Sequence, residues 1–85
     1  MKKFRTSIHT TQQLWLRERF IEQRKTLGLS QRSLAEKLNV IYSLIGKVET
    51  GDRRLDVFEF IEYCQALELD PVKLVQQLEA LQKQP

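Results

Sequence analysis

The stretch of sequence that decides the fold is GLSQRSLAEKLNVIYSLIGKVETG, residues 28–51. Ser30 is a preferred helix N-cap, and Asn39 is one of the few residues that tolerate the left-handed conformation with which many helices end. Between them, apolar residues follow the spacing of one helix face: Leu34, Ala35 and Leu38. The pattern predicts a short helix that begins after Ser30 and stops at Asn39.

A second short helix is predicted directly afterwards, over about 41–49, with Gly51 beyond its end. Its inward residues are expected to be Leu44, Ile45 and Val48. Two short helices joined by a tight turn have the geometry of a helix-turn-helix unit, here over about 30–50.

Further helices are predicted on both sides of this unit. On the amino-terminal side, Thr10 or Thr11 can cap a helix that ends at Gly28, because glycine takes the left-handed conformation freely. On the carboxyl-terminal side, Asp56 and Glu59 have the spacing of a capping box, and Asp70-Pro71 is a typical helix start. The expected inward residues are Val57, Phe60, Ile61, Cys64 and Leu67 in the fourth helix, and Val72, Val75, Leu78 and Leu81 in the fifth.

The composition suits one folded domain. The chain has 85 residues, of which 41% are apolar and 29% charged, so it can bury a core. The predicted fold class is all-α, with a basic arm over 1–9, one domain over 10–82 and C-terminal helices over about 56–82. No apolar run approaches the roughly 18 residues of a membrane span, and no apolar segment follows the basic start, so we expect a cytoplasmic protein.

Charge is divided unevenly along the chain. Residues 1–54 contain twelve Lys or Arg and five Asp or Glu, a net charge of +7, whereas residues 55–85 contain two and six, a net charge of −4. A basic half indicates contact with a polyanion, of which nucleic acid is the first candidate, although solvated charged faces would give the same pattern.

Catalytic and metal chemistry have little support in the sequence. Cys64 and His9 are the only residues of their types, which excludes a disulfide within the chain and leaves too few Cys/His ligands for a zinc site. Glu59 and Glu62 are expected on a solvated helix face, and Cys64 on a buried one. We therefore expect no enzyme, no metal and no cofactor.

Residues 14–76 resemble the phage-repressor and xenobiotic-response-element (XRE) type of helix-turn-helix domain. The resemblance rests on Gly28-Leu29-Ser30-Gln31, Leu34-Ala35-Glu36-Lys37-Leu38, Ile45, Val48-Glu49, Gly51, Arg53-Arg54, Ala66-Leu67 and Leu69-Asp70-Pro71. It implies the five-helix, lambda-repressor-like DNA-binding fold and double-stranded DNA as the partner. We expect no domain for a small-molecule effector. The helix over about 41–49 would be the recognition helix in the major groove.

The resemblance assigns the DNA contacts by position. Tyr42, Ser43 and Lys47 fall where the family presents side chains to base edges, and their spacing places them opposite the inward residues. Lysine can donate to guanine O6 or N7, and serine can pair with either edge. Ile41 stands where the family usually has a capping Ser or Thr, so either the helix start shifts by a residue or Ile41 contacts a thymine methyl group.

Phosphate contacts are expected from four residues flanking the recognition helix: Ser30, Gln31, Arg53 and Arg54. Ser30 would also act as a helix cap. Lys2, Lys3 and Arg5 in the arm could add non-specific affinity. Arg24 and Glu49 match positions that often form a structural ion pair in this family.

Three further departures from the family pattern affect the contacts. Gly46 lies inside the recognition helix, which either allows a close approach to DNA or means that this face is not used. Leu55 replaces a frequent proline, and Ser33 replaces an acidic capping-box partner.

A homodimer is expected because the C-terminal helices carry more apolar residues than a core this small needs. The candidate interface residues are Leu69, Val72, Val75 and Leu78, with Phe58 and Tyr63 on the outer side of the fourth helix. The sequence therefore predicts a dimeric, sequence-specific DNA-binding regulator, of phage-repressor, restriction-controller or autoregulating antitoxin kind. The alternative is a protein-interaction module on the same fold, with Ile41, Tyr42 and Leu55 as its contact patch.

Overall fold

The computed structural model describes residues 10–82, and the predicted arm over 1–9 lies outside them. The described chain consists of five helices and contains no strand: α1 Thr11–Thr26, α2 Gln31–Leu38, α3 Tyr42–Thr50, α4 Val57–Ala66 and α5 Pro71–Gln82. The predicted all-α fold with five helices is confirmed.

The predicted caps hold the helix ends. Thr10 accepts from the Gln13 backbone N–H, Ser30 accepts from Ser33 N–H, and Asp56 with Glu59 forms the full capping box. Gly28 and Asn39 adopt left-handed conformations with φ of 73° and 58°. Gly28 turns the chain between α1 and α2, and Asn39 turns it between α2 and α3, which pack against each other.

The buried core lies where all five helices meet. It consists of Phe20, Leu34, Ala35, Ile45, Val48, Tyr63, Cys64, Ala66, Leu67 and Leu74. Helix α1 packs on α3 and α5, while α4 packs on α2 and α5. The helix-turn-helix pair is therefore supported by α1 behind α3 and by α4 behind α2, and α5 packs on both supporting helices.

The predicted inward face of α4 was partly wrong. Val57 is 68% exposed and Ile61 is also exposed, whereas Tyr63, expected on the outer side, is 2% exposed. The inner face instead follows the stripe Phe60, Tyr63, Cys64 and Leu67, which has the same i, i+3, i+4, i+7 spacing. The sequence carries two overlapping apolar stripes here, and the Tyr63 ring packs on Phe20 with centroids 4.7 Å apart.

The predicted stripe of α5 needs a similar correction. Leu74, which was not in it, is the buried residue of this helix, and Val72 and Val75 are exposed. Leu78 and Leu81 are half-buried one and two turns beyond Leu74. The inward face is therefore Leu74, Leu78 and Leu81, and both valines point away from the core.

Candidate nucleic-acid interface

The turn between α2 and α3 determines how α3 is presented. Asn39 ends α2 in the left-handed conformation, and Val40 N–H then donates to Ala35 C=O at 3.0 Å. Ile41 is the extended N-cap of α3, and its side chain makes no capping hydrogen bond. The helix thus begins one residue later than the predicted 41–49, at Tyr42. Ile41 itself is 73% exposed at the amino end of α3.

The three residues predicted at base edges share the exposed side of α3. Tyr42, Ser43 and Lys47 are exposed, while Ile45 and Val48 on the opposite side are buried in the core. Within residues 10–82 the Lys47 ammonium group makes no hydrogen bond or ion pair. This surface therefore presents a hydroxyl, a phenol and an unpaired cation.

An ion pair joins α1 to the last turn of α3. Arg24 Nε donates to Glu49 Oε2 at 2.6 Å and Nη2 donates to Oε1 at 3.1 Å, while Nη1 donates to the Leu29 carbonyl at 2.9 Å. The hydrogen bond to Glu49 raises the pKa of Arg24 further above its ordinary value, against the opposing effect of burial. These contacts fix α3 relative to the start of α2.

Gln31 joins the same network, which the sequence did not suggest. Its Nε2 donates to Glu49 Oε1 at 2.8 Å, so one of its two amide hydrogens is already used. The second amide hydrogen remains for the predicted phosphate contact. Ser30 caps α2 by accepting from Ser33 N–H, and the hydroxyl groups of the two serines share a hydrogen bond of 2.8 Å.

Arg53, a predicted phosphate ligand, is paired with an acid. Its Nη1 and Nη2 donate to the two carboxylate oxygens of Glu59 at 3.1 and 2.7 Å, and Nη1 also donates to the Arg54 carbonyl. The pairing lowers the pKa of Glu59 below its ordinary value, because the hydrogen bond from Arg53 favours the carboxylate. Arg54 is exposed on the same loop. A phosphate at Arg53 would have to compete with Glu59.

Arg32 is a functional candidate that sequence reasoning missed. Its guanidinium carbon lies 4.6 Å from the centroid of the Tyr42 ring, a cation–π contact across the turn. Residues ten apart on two different helices have no spacing rule, so no sequence signal marked this pair. The contact places a second cation beside the base-facing residues.

Tyr63 lies in the core with an unsatisfied hydroxyl group. Its Oη is buried and has no hydrogen-bond partner in the described part of the chain. Burial raises the pKa of the phenol well above its ordinary value, and the negative charge of Glu49 raises it further. The hydroxyl therefore stays protonated in the folded protein.

Exposed apolar residues lie on α4 and α5. They are Val57, Phe58, Ile61, Val72 and Val75. A groove of about 370 Å³ is lined by Val57 and Val75 of this set, and it extends to Arg53 and Arg54 on the loop after α3. Of the predicted interface residues, Val72 and Val75 are thus exposed, whereas Leu69 and Leu78 are half-buried.

Neither a metal site nor a membrane-spanning helix is found within residues 10–82. No group of three or more His, Cys, Asp or Glu is placed to hold a metal ion. None of the described helices is both long and apolar enough to cross a membrane.

Comparison with known proteins agrees with this geometry. A helix-turn-helix family model matches residues 20–74, which is more than half of the chain. The solved structure of an XRE-family like protein from Pseudomonas syringae pv. tomato str. DC3000 is 36% identical, with a TM-score of 0.78. The alignment covers 87% of this chain and 90% of that one. The chain belongs to the XRE-type helix-turn-helix family.

Membership places the protein among DNA-binding regulators, and it confirms the family predicted from the sequence. No match was found among curated proteins. In this XRE-type domain the matched region covers α2 and α3 completely, together with the pair Arg24 and Glu49 that braces them.

Proposed function

We propose that this XRE-type domain is a sequence-specific transcriptional regulator that acts as a dimeric repressor or autoregulator at a palindromic operator. The observation that carries the proposal is the exposed face of α3, where Tyr42, Ser43 and Lys47 lie opposite the buried Ile45 and Val48. An α-helix fits the major groove of B-DNA, which presents a distinct donor and acceptor pattern for each base pair. Such a protein would work in the cytoplasm.

Each residue on this face has a chemical role in the proposal. Lys47 donates to guanine O6 or N7, Ser43 donates or accepts at a base edge, and Ile41 packs against a thymine methyl group. Tyr42 contributes a hydroxyl and a ring at the amino end of α3. Gly46 lies one turn from Tyr42 and has no side chain, so the helix can approach the DNA closely at this point. A methyl group there would lie 3.8 Å from Gln31 Oε1.

Phosphate contacts would fix the domain on the duplex. Ser30 and Gln31 lie at the amino end of α2, where free backbone N–H groups and the helix dipole favour an anion. Arg54 and Arg53 lie on the loop after α3, and Arg53 would exchange the carboxylate of Glu59 for a phosphate. The positive charge of residues 1–54 supports this orientation.

The dimer would form through the α4 and α5 surface. Val72 and Val75 of α5 are exposed, as are Val57, Phe58 and Ile61 of α4, and a two-fold axis would bury the same residues on both subunits. Leu69 and Leu78 would lie at the edge of that interface. Two recognition helices related in this way would bind half-sites about 34 Å apart, the spacing typical of helix-turn-helix dimers.

The experiment is selection from a pool of random 40-base-pair duplexes on the immobilised protein, followed by sedimentation of the enriched complex. The proposal predicts one enriched sequence with two-fold symmetry, bound by two chains. Enrichment of an asymmetric sequence by one chain would retain base recognition and contradict the dimer. Lack of any enrichment would contradict sequence-specific regulation.

A protein-interaction module remains the second candidate, because Ile41 and Tyr42 are exposed at the end of α3. Leu55, the third residue of that predicted patch, is half-buried and packs against the core. The module would bind DNA weakly, with steep salt dependence and no preference for sequence. The selection experiment separates the two functions.

A further inference from the structure

Arg32 and Tyr42 form a pair at the corner where α2 and α3 approach each other. Arg32 is the second residue of α2, and Tyr42 is the first residue of α3. The guanidinium lies 4.6 Å from the ring centroid, although Arg32 is exposed and Tyr42 is 48% exposed. The flexible arginine side chain is therefore held across the turn by the ring.

A stacked guanidinium keeps its hydrogen-bonding capacity. Contact with an aromatic ring uses the flat face of the group, and the five N–H donors lie in its plane and point outward. Within residues 10–82, Arg32 has no acidic partner, whereas Arg24 and Arg53 are both paired with glutamates. Arg32 thus combines a fixed position with an uncommitted charge.

The position of Arg32 favours an anion. It lies in the first turn of α2, whose backbone N–H groups and dipole attract negative charge. In the proposed complex, α2 crosses the DNA backbone while α3 lies in the groove. The anion next to Arg32 in that arrangement is a DNA phosphate.

We infer that Arg32 is a positioning residue that donates to a DNA phosphate while holding the Tyr42 ring for base contact. The inference rests on the proposed function and adds a residue to it. Arg32 would thus connect a phosphate contact, which does not depend on the DNA sequence, with the base contact of Tyr42, which does. Its guanidinium also supplies a phosphate ligand where Arg53 is occupied by Glu59.

The pair is tested first in the free protein by NMR. The side-chain protons of Arg32 should be shifted upfield by the ring current of Tyr42, and Tyr42→Leu should remove the shift while Tyr42→Phe retains it. Arg32 protons at random-coil positions in the wild type would overturn the stacked arrangement.

The DNA test uses the enriched duplex from the selection and a scrambled duplex of the same length, each titrated at several salt concentrations. Arg32→Ala should reduce the slope of log affinity against log salt by about 0.9 per protomer, the value for one lost phosphate contact. Lys73→Ala is the matched control, because it removes the same charge from exposed α5 and should leave the slope unchanged. An unchanged slope for Arg32→Ala would overturn the phosphate contact.

Arg32→Lys separates positioning from charge. Lysine retains the charge, so the slope should persist, but it loses the contact of the guanidinium with the Tyr42 ring. Preference for the enriched duplex over the scrambled one should fall roughly two- to fivefold. In a protein that already carries Tyr42→Leu, Arg32→Lys should not lower the preference for the enriched duplex any further. Full preference in Arg32→Lys, or an equal loss in both backgrounds, would overturn the positioning role.

Failure of this inference differs from failure of the proposed function. If the wild type enriches a sequence but the Arg32 variants behave like the wild type, only the inference is overturned. If the wild type enriches nothing, sequence-specific regulation is overturned and the positioning role with it. The salt slopes on the scrambled duplex still decide the phosphate contact.

Discussion

Arg24 and Glu49, on α1 and α3, form a two-point ion pair with N–O distances of 2.6 and 3.1 Å. The two side chains are only 11% and 6% exposed, so the pair is shielded from solvent. Because Glu49 also accepts from Gln31, one carboxylate connects three helices. The orientation of α3 therefore depends on residues that do not themselves lie on its DNA-facing side.

Removing one partner of this pair should destabilise the fold. Arg24→Ala leaves the Glu49 charge buried with only Gln31 as a donor, and we expect the free energy of unfolding to fall by about 3 kcal/mol. Urea denaturation measures the change. The double variant Arg24→Met with Glu49→Leu is the control, because replacing both charges by apolar groups should recover much of the loss. A loss below about 1 kcal/mol in Arg24→Ala would contradict the role given to the pair.

Glu59 is expected to restrain DNA binding by occupying Arg53. Glu59→Gln should weaken that ion pair while keeping the capping box, since glutamine is also accepted at that position. The affinity for scrambled duplex should rise, and its salt slope should steepen by about 0.9 as Arg53 gains a phosphate. Glu62→Gln is the control, because it makes the same change in net charge on the exposed side of the same helix. An equal effect of both variants would mean that only net charge matters.

Gly51 should tolerate substitution less well than Gly28. Both have positive φ, 88° and 73°, and alanine in this region costs about 1 kcal/mol or more. A methyl group at Gly51 would also lie 2.6 Å from Arg17 Nη1, whereas none of the described atoms lies within 4 Å at Gly28. Thermal melting should therefore show a larger loss for Gly51→Ala than for Gly28→Ala. The reverse order would contradict the packing of Arg17 against this turn.

The buried thiol of Cys64 should make stability fall at alkaline pH. Burial raises its pKa to about 11, and the negative charge of Asp70 adds to the shift. The unfolded thiol ionises near pH 8.5, so the unfolded state loses this proton first and gains stability as pH rises. Between about pH 8.5 and 10, the free energy of unfolding should therefore fall as pH rises, and it should fall more steeply in the wild type than in Cys64→Ala. The difference between the two slopes should be at most about 1.4 kcal/mol per pH unit. Parallel pH profiles for the two proteins would contradict the burial of the thiol.

The sequence predicted local features well because each depends on neighbouring residues. Ser30, Asn39 and Asp56 act on the backbone within four residues of themselves, so their types and spacing were sufficient. The predicted faces of α4 and α5 were less reliable. Tyr63 and Leu74 belong to stripes that overlap with the predicted ones, and only tertiary packing decides which stripe is buried: the Tyr63 ring packs on Phe20, and α5 packs on α1 and α4.

The long-range contacts of the interface could not be predicted from spacing. The contacts between Arg32 and Tyr42, and between Gln31 and Glu49, join different helices, and no periodicity relates their positions. The pairing of Arg53 with Glu59 spans the loop between α3 and α4 in the same way. Such pairs depend on tertiary structure, and they determine which charges remain available to DNA.

The central claim is that the exposed face of α3 recognises bases, and Lys47 tests it most directly. Fluorescence-anisotropy titrations would compare wild type, Lys47→Ala and Lys73→Ala on the enriched and scrambled duplexes at two salt concentrations. We predict that Lys47→Ala lowers affinity for the enriched duplex about tenfold or more while affinity for scrambled DNA changes little, and that Lys73→Ala retains the preference. An equal loss on both duplexes would contradict base recognition by Lys47, because it would show that this lysine contributes only charge.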